Sequence, residues 1–252
     1  MKNEPTKSST VIPVVIIGLV LVAVIGGAWY LYSQSKPATN ANAKPSSTPT
    51  KAATVNPNAP IGANPPNMLG SPTASVTVEE FADFQCPTCG TTHPVMKEIQ
   101  STYGSKIRFV FREYPLPMHD KSYDAAVAAE AAGLQGKFWA MQDQLFTNQQ
   151  SWSGPSANAK EIWAGYAQKI GLDVQQWQND MIGMAAKSRV DQDLQRGKAL
   201  NVTSTPSIFI NGELSPELNV AGIRRIIDAK LQEAGAAPSS GSATSQVNAN
   251  SK

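Results

Sequence analysis

The stretch Phe81-Ala82-Asp83-Phe84-Gln85-Cys86-Pro87-Thr88-Cys89-Gly90 decides how this chain folds. Ahead of it, Ser75–Phe84 carries Val76, Val78 and Phe81 in the short apolar run of a buried strand. Behind it, Pro87 opens a helix that continues through Val95, Met96 and Ile99 to about Tyr103. The only two cysteines in 252 residues stand at this junction. Two cysteines exclude a small disulfide-stapled fold, and they exclude a zinc site made of four cysteines. A Cys-x-x-Cys pair where a strand meets a helix is a redox signal. Placed at the helix N-terminus, Cys86 has free backbone N–H groups and the helix dipole to stabilise a thiolate. A lowered pKa makes it both a nucleophile and a good leaving group. Cys89 lies one turn on and on the same face, where it is expected to be the buried resolving thiol.

A metal site is the competing reading. His93 follows Cys89 by four residues, so Cys86, Cys89 and His93 can be arranged as ligands in a metal-binding chaperone. A closed site needs a fourth ligand, and the other histidine, His119, follows the loop Tyr114-Pro115-Leu116-Pro117 and is expected to be solvated. His93 itself is expected on the helix surface. The haem-attachment pattern is absent because Gly90 follows Cys89. Redox chemistry is preferred, with no metal and no cofactor beyond the Cys86–Cys89 disulfide itself.

Working outward, Ile107, Phe109 and Phe111 alternate with Arg108, Val110 and Arg112 in a second strand. Helical spacing then dominates: an alanine-rich run at Ala125–Leu134, then Phe138, Met141 and Leu145, then Ile162, Tyr166 and Ile170. Asp173 can cap a short helix that includes Trp177, and another helix runs from about Met184 to Leu200. Strands resume at Ser207-Ile208-Phe209-Ile210, with Asn211-Gly212 as a tight hairpin turn before Glu213-Leu214. Val220, Ile223, Ile227 and Leu231 form the stripe of a last helix. The order predicts an α/β domain with a helical insertion at about 119–200.

The segment around the cysteines resembles the active-site segment of DsbA-like thiol–disulfide oxidoreductases of the thioredoxin superfamily. Gly136-Lys137-Phe138-Trp139 resembles the opening of that family's inserted helical domain, and Thr205-Pro206-Ser207-Ile208-Phe209-Ile210-Asn211-Gly212 resembles the strand that carries its cis-proline. The resemblance implies a thioredoxin fold over residues 69–235, with Cys86 attacking and Cys89 resolving. It implies a cis Pro206 packed against the disulfide, with the Thr205 backbone free to pair with an extended substrate. Pro87 and Thr88 then border the substrate site. Glu80 falls where the family often has a buried acid that moves protons for the resolving thiol. Burial there would raise its pKa and suit it to act as a base, against the alternative of a partly exposed strand-end acid like its neighbour Glu79. Thr88 departs from the best-known members, which have histidine there, and it supplies no imidazolium.

The rest of the chain reads differently. Charged residues are 16% of the whole against 41% hydrophobic, and the usual charged share is about 25%. After a short N-terminal tail at 1–10, residues 11–32 are 22 nearly continuous apolar positions without a charge. As a helix they would extend roughly 33 Å, enough for a single transmembrane span. The run is too long for a signal peptide's apolar core, so an uncleaved anchor with the N-terminus inside is expected. Residues 33–68 have seven prolines and no acid and read as a disordered linker. Residues 236–252 read as a disordered tail. The 167 residues of 69–235 hold 15 basic and 18 acidic side chains, a formal −3 inside a chain of net +2, so nucleic acid is not an expected partner. A redox pair beyond a membrane span suits an oxidising, extracytoplasmic side of the cell membrane. Exported protein thiols are the expected substrates, and the resemblance implies a membrane thiol oxidase for reoxidation. A disulfide reductase or isomerase uses the same couple in the other direction.

Overall fold

The computed structural model describes residues 58–236, together with 26–27, 29–30 and 56. The chain divides into two units, residues 1–50 and 51–252. In the first, the four described residues, Gly26, Gly27, Trp29 and Tyr30, are helical. The rest of the expected span at 11–32 lies outside the described residues, as does the tail beyond 236. Among the described residues no helix is long and apolar enough to cross a membrane.

The second unit is an α/β domain. Its strands are β1 (Asn67–Gly70), β2 (Val76–Ala82), β3 (Ile107–Glu113), β4 (Ser207–Ile210) and β5 (Glu213–Leu214). Its helices are α1 (Pro87–Tyr103), α2 (Ser122–Leu134), α3 (Phe138–Thr147), α4 (Gln149–Trp152), α5 (Ala159–Lys169), α6 (Val174–Ile182), α7 (Met184–Ala199) and α8 (Val220–Ala236). The sheet order is β1-β3-β2-β4-β5. The central pair β2 and β3 is parallel, crossed over by α1, and the other pairings are antiparallel. Helices α2 to α7 form the insertion between β3 and β4, as the spacing predicts.

Local chemistry accounts for the boundaries. α1 has Pro87 in its first turn and stops at Gly104, whose φ of +50° suits glycine. α6 is capped by Asp173, whose carboxylate accepts the Gln176 N–H at 3.0 Å. At the β4–β5 turn both Asn211 and Gly212 have positive φ, the backbone a two-residue hairpin of this type requires. The Asn211 amide also ties the turn to β2, accepting the Thr77 N–H at 2.7 Å and donating to Ser75 O at 3.1 Å. The main core joins one face of the sheet to α1, α8 and the insertion, where Trp152, Trp163 and Trp177 are fully buried. A smaller core on the other face gathers Phe81, Tyr114, Leu200, Val202 and Phe209.

The expected linker boundary at 68 is too late. Residues 60–67 are tied to the domain: Arg112 donates to Ile61 O and Ala63 O, Arg196 to Pro60 O, and Ala63 is buried. The edge strand β1 then pairs with β3. Its sequence, Asn-Met-Leu-Gly, has no alternation to signal a strand, and its partners come from far along the chain.

Candidate active site

β2 ends at Ala82, and three residues, Asp83–Gln85, turn the chain into α1. Cys86 is the N-cap, with an extended ψ of 122° and no side-chain hydrogen bond to close the helix end. Its thiol donates to Thr205 O at 3.4 Å. Its pKa is drawn down to about 5, first by the Cys89 thiol, then by Thr205 and the backbone N–H groups of Cys89 and Thr88, all working against burial. Thr88 thus contributes through its backbone rather than a side-chain charge. Cys89 is fully buried and accepts the Asp83 N–H at 3.4 Å. Burial, followed by the neighbouring Cys86, pushes its thiol well above the ordinary value. The two free thiols are therefore unlike: one ionises readily, the other stays protonated.

The other expected residues surround this pair. The Thr205–Pro206 bond is cis, and both residues are buried just ahead of β4. Pro87 and Thr88 are exposed beside Cys86. Glu80 sits in β2 between Phe111 of β3 and Ile208 of β4, 3% exposed, on the strand face it shares with Val78 and Ala82. Burial raises its carboxyl to about 8, so it can keep a proton at neutral pH.

This shift sets a pH dependence. An acid whose folded pKa is raised favours the folded state below its unfolded pKa, near 4.5, and weakens it as pH climbs toward about 8. The full swing is on the order of 5 kcal/mol. Glu80→Gln is expected to remove that component: urea midpoints at pH 5 and pH 8 should lie closer together in the variant than in the parent. An equal gap in both proteins would count against a neutral buried Glu80.

Three neighbours depart from the sequence reading. Glu79 is not a partly exposed strand-end acid. It is buried and held below the usual carboxylate range by Arg196 and Arg112, which outweigh its burial. His93 is not a helix-surface residue. It is buried, its ring stacks on Phe146 at 4.9 Å, and Nε2 lies 3.1 Å from Asp143 Oδ1. Burial lowers its pKa despite Asp143. His119 is only partly exposed rather than free in solvent, and its Nδ1 lies 2.6 Å from Asp83 Oδ2. Among the described residues, Cys86, Cys89 and His93 do not converge as a ligand set; the one group of three that does is Glu113, Glu130 and Asp193.

Two organising residues were not anticipated. Asp83 is buried, and its carboxylate accepts from Gln85 N–H at 2.7 Å, Leu116 N–H at 2.9 Å and Ser122 Oγ at 2.5 Å, besides His119. An acid in the turn between two aromatic residues, just ahead of the first cysteine, is the signal that could have found it. Gln149, from α4, donates its amide to Phe84 O at 2.7 Å and Cys86 O at 2.9 Å. It packs so closely on Gly90 that a Cβ there would lie 2.7 Å from its Oε1, which explains the glycine after Cys89. No local pattern in the sequence marks Gln149.

The fold that carries this site is shared with known proteins. A family model described as Thioredoxin matches residues 63–229. Oxidised BdbD from Bacillus subtilis superposes with a TM-score of 0.62 at 22% identity, over 72% of this chain and 98% of that one. α-DsbA1 from Wolbachia pipientis superposes with a TM-score of 0.61 at 19% identity, over 67% and 92%. The Na(+)/H(+) antiporter NhaA 1 of Mycolicibacterium gilvum is 34% identical over 159 residues. That match takes in 61% of this chain but only 24% of the antiporter, so this chain spans about a quarter of the curated relatives it matches, and their name describes the whole transporter. With the family model spanning well over half its length, the chain belongs to the Thioredoxin family, and its fold, with a helical insertion between β3 and β4, is the one seen in BdbD and α-DsbA1.

Proposed function

We propose that the chain is a membrane-anchored, extracytoplasmic thiol–disulfide oxidoreductase that forms disulfides in exported proteins through Cys86 and Cys89. The observation that carries this reading is the inequality of the two sulfurs. A stable Cys86 thiolate favours the reduced enzyme, and that makes its disulfide an oxidant.

The reaction starts from the Cys86–Cys89 disulfide. A substrate thiolate attacks Cys86 Sγ, and the enzyme S–S bond breaks as a mixed disulfide forms. Cys89 leaves with the electron pair and takes a proton, for which the neutral carboxyl of Glu80 is the proposed source. A second substrate thiolate then attacks the substrate sulfur of the mixed disulfide and releases Cys86 as a thiolate. The substrate loses two electrons and gains a disulfide; the enzyme gains both and ends as a dithiol. Pairing of an extended substrate with the Thr205 backbone would present its sulfur to Cys86, across the exposed lip of Pro87 and Thr88. A membrane thiol oxidase takes the electrons in turn, and the apolar segment 11–32 keeps the domain at the membrane where that partner works.

The test is entrapment. Cys89→Ser leaves the Cys86 thiolate without its resolving thiol. The variant is expected to accumulate mixed disulfides with exported proteins, visible as reducible high-mass bands on non-reducing gels. The trapped bond forms when the Cys86 thiolate attacks a disulfide of an exported protein and displaces one of its sulfurs as a thiolate, so a Cys89→Ser protein that remains a single monomeric band in cells with disulfide-bonded exported proteins would contradict the proposal.

A further inference from the structure

An N-cap side chain ordinarily accepts from the N–H groups of the first turn and so fixes the helix end. Cys86 is the N-cap of α1, but its side chain is the reacting sulfur and makes no such bond. Its backbone is gripped from the insertion instead. Gln149 opens α4, and its amide nitrogen donates to both Phe84 O at 2.7 Å and Cys86 O at 2.9 Å. Carbonyls only accept, so the nitrogen and not the oxygen of the amide faces them. Among the described residues, no other side chain of the insertion bonds to Cys86.

The grip has a rigid backing. Trp152, at the far end of α4, is fully buried, packs edge-on against Trp163 at 5.3 Å and donates to Leu145 O at 2.9 Å. The loop just after α4 adds two ties to the same turn. Gln85 donates to Ser153 O at 3.1 Å, and Lys121 donates its N–H to Gln85 Oε1 at 2.7 Å and its Nζ to Gly154 O at 2.7 Å. On the other side of the amide, Gly90 leaves the room it needs: a Cβ there would lie 2.7 Å from Gln149 Oε1 and 3.1 Å from its Cδ. Two consequences for the sulfur have the same sign. The amide fixes the Cys86 backbone so that the N–H groups of Cys89 and Thr88 serve its thiolate. Its N–H dipole also offsets two carbonyl oxygens whose negative ends oppose a nearby anion.

We propose that Gln149 is a positioning residue for thiol–disulfide exchange: it holds Cys86 where the first turn of α1 stabilises a thiolate, and α4 thereby sets the redox poise of the couple. This role rests on the oxidoreductase function proposed above and places one of its controls outside the Cys-x-x-Cys segment. Gly90 belongs to the same device, because a Cβ there displaces the amide.

Gln149→Met keeps the length of the side chain and removes the donor. In the full chain its thiolate absorbance is expected to titrate on the order of one pH unit above the parent's, the worth of about one hydrogen bond. A tenfold loss of thiolate stabilisation lowers the reduction potential by about 30 mV. Gly90→Ala is the second variant. Alanine is the better helix former, so α1 should be retained, yet the displaced amide should move the titration in the same direction. Combining the two substitutions should add nothing to the larger single shift. An unchanged titration and potential in Gln149→Met, whether or not its urea midpoint falls, would overturn the proposal, as would additive shifts in the double variant. Entrapment by Cys89→Ser does not need Gln149, so successful entrapment beside an unchanged titration would remove this role and leave the exchange reaction standing.

Discussion

Cys86→Ser is expected to lower the rate of disulfide exchange by at least about a thousandfold, which is 4 kcal/mol or more of lost transition-state stabilisation. The nucleophile and leaving group in this chemistry is a thiolate, and with a pKa of about 5 almost all of Cys86 is ionised at pH 7. Cys89 cannot take over. It is 1% exposed, its proton is held by burial, and no substrate sulfur can approach it in line. The fold should tolerate the change, because Cys86 is fixed by its backbone: its N–H donates to Asp83 O at 3.1 Å and its carbonyl accepts from Gly90 and Gln149. Exchange with a reduced peptide dithiol, followed by mass spectrometry, measures the loss. Residual exchange above a few per cent of the parent rate would mean that Cys89 is more accessible than its burial allows.

Asp83→Ala is expected to cost about 3–5 kcal/mol of stability, the range for removing one partner from a buried, charge-assisted network. Among the described residues the carboxylate is the only acceptor given to the Gln85 and Leu116 N–H groups, and it also holds Ser122 and His119. These contacts fasten three separate pieces to one another: the turn into α1, the Pro-rich loop after β3, and the start of α2. Without them the backbone geometry around both sulfurs loosens. The Asp83 N–H that points at Cys89 and the carbonyl that receives the Cys86 N–H belong to the same residue. The thiolate absorbance of the variant should therefore titrate above about 5, and its urea midpoint should fall. Asp83→Asn keeps one acceptor oxygen and should lose less. A loss under about 1 kcal/mol in Asp83→Ala would remove Asp83 from its organising place.

What the sequence disclosed about the fold was governed by how local the causes are. The start of α1 at Pro87, the cap at Asp173 and the hairpin at Asn211-Gly212 each depend on a few adjacent residues, and each lies where the spacing predicts. β1 depends instead on the register it takes against β3, some forty residues away, and nothing in Asn67–Gly70 announces it. The site divides along the same line. The cysteine pair was legible because a local motif marks it, and Glu80 was singled out only through the family resemblance. His93, His119 and Glu79 were misjudged because Asp143, Asp83 and the two arginines that bury or pair them arrive from other elements. Gln149 shows the limit most sharply: an unremarkable amide in the insertion secures the carbonyl of the attacking cysteine across 63 residues of chain.

The reduction potential of the Cys86–Cys89 couple, measured against glutathione in the folded domain, tests the central claim most directly. A thiolate stabilised by the first turn of α1 favours the dithiol, and the couple should be more positive than about −200 mV, on the oxidising side of thioredoxin near −270 mV. A potential at or below about −270 mV would contradict the account and make the chain a reductant.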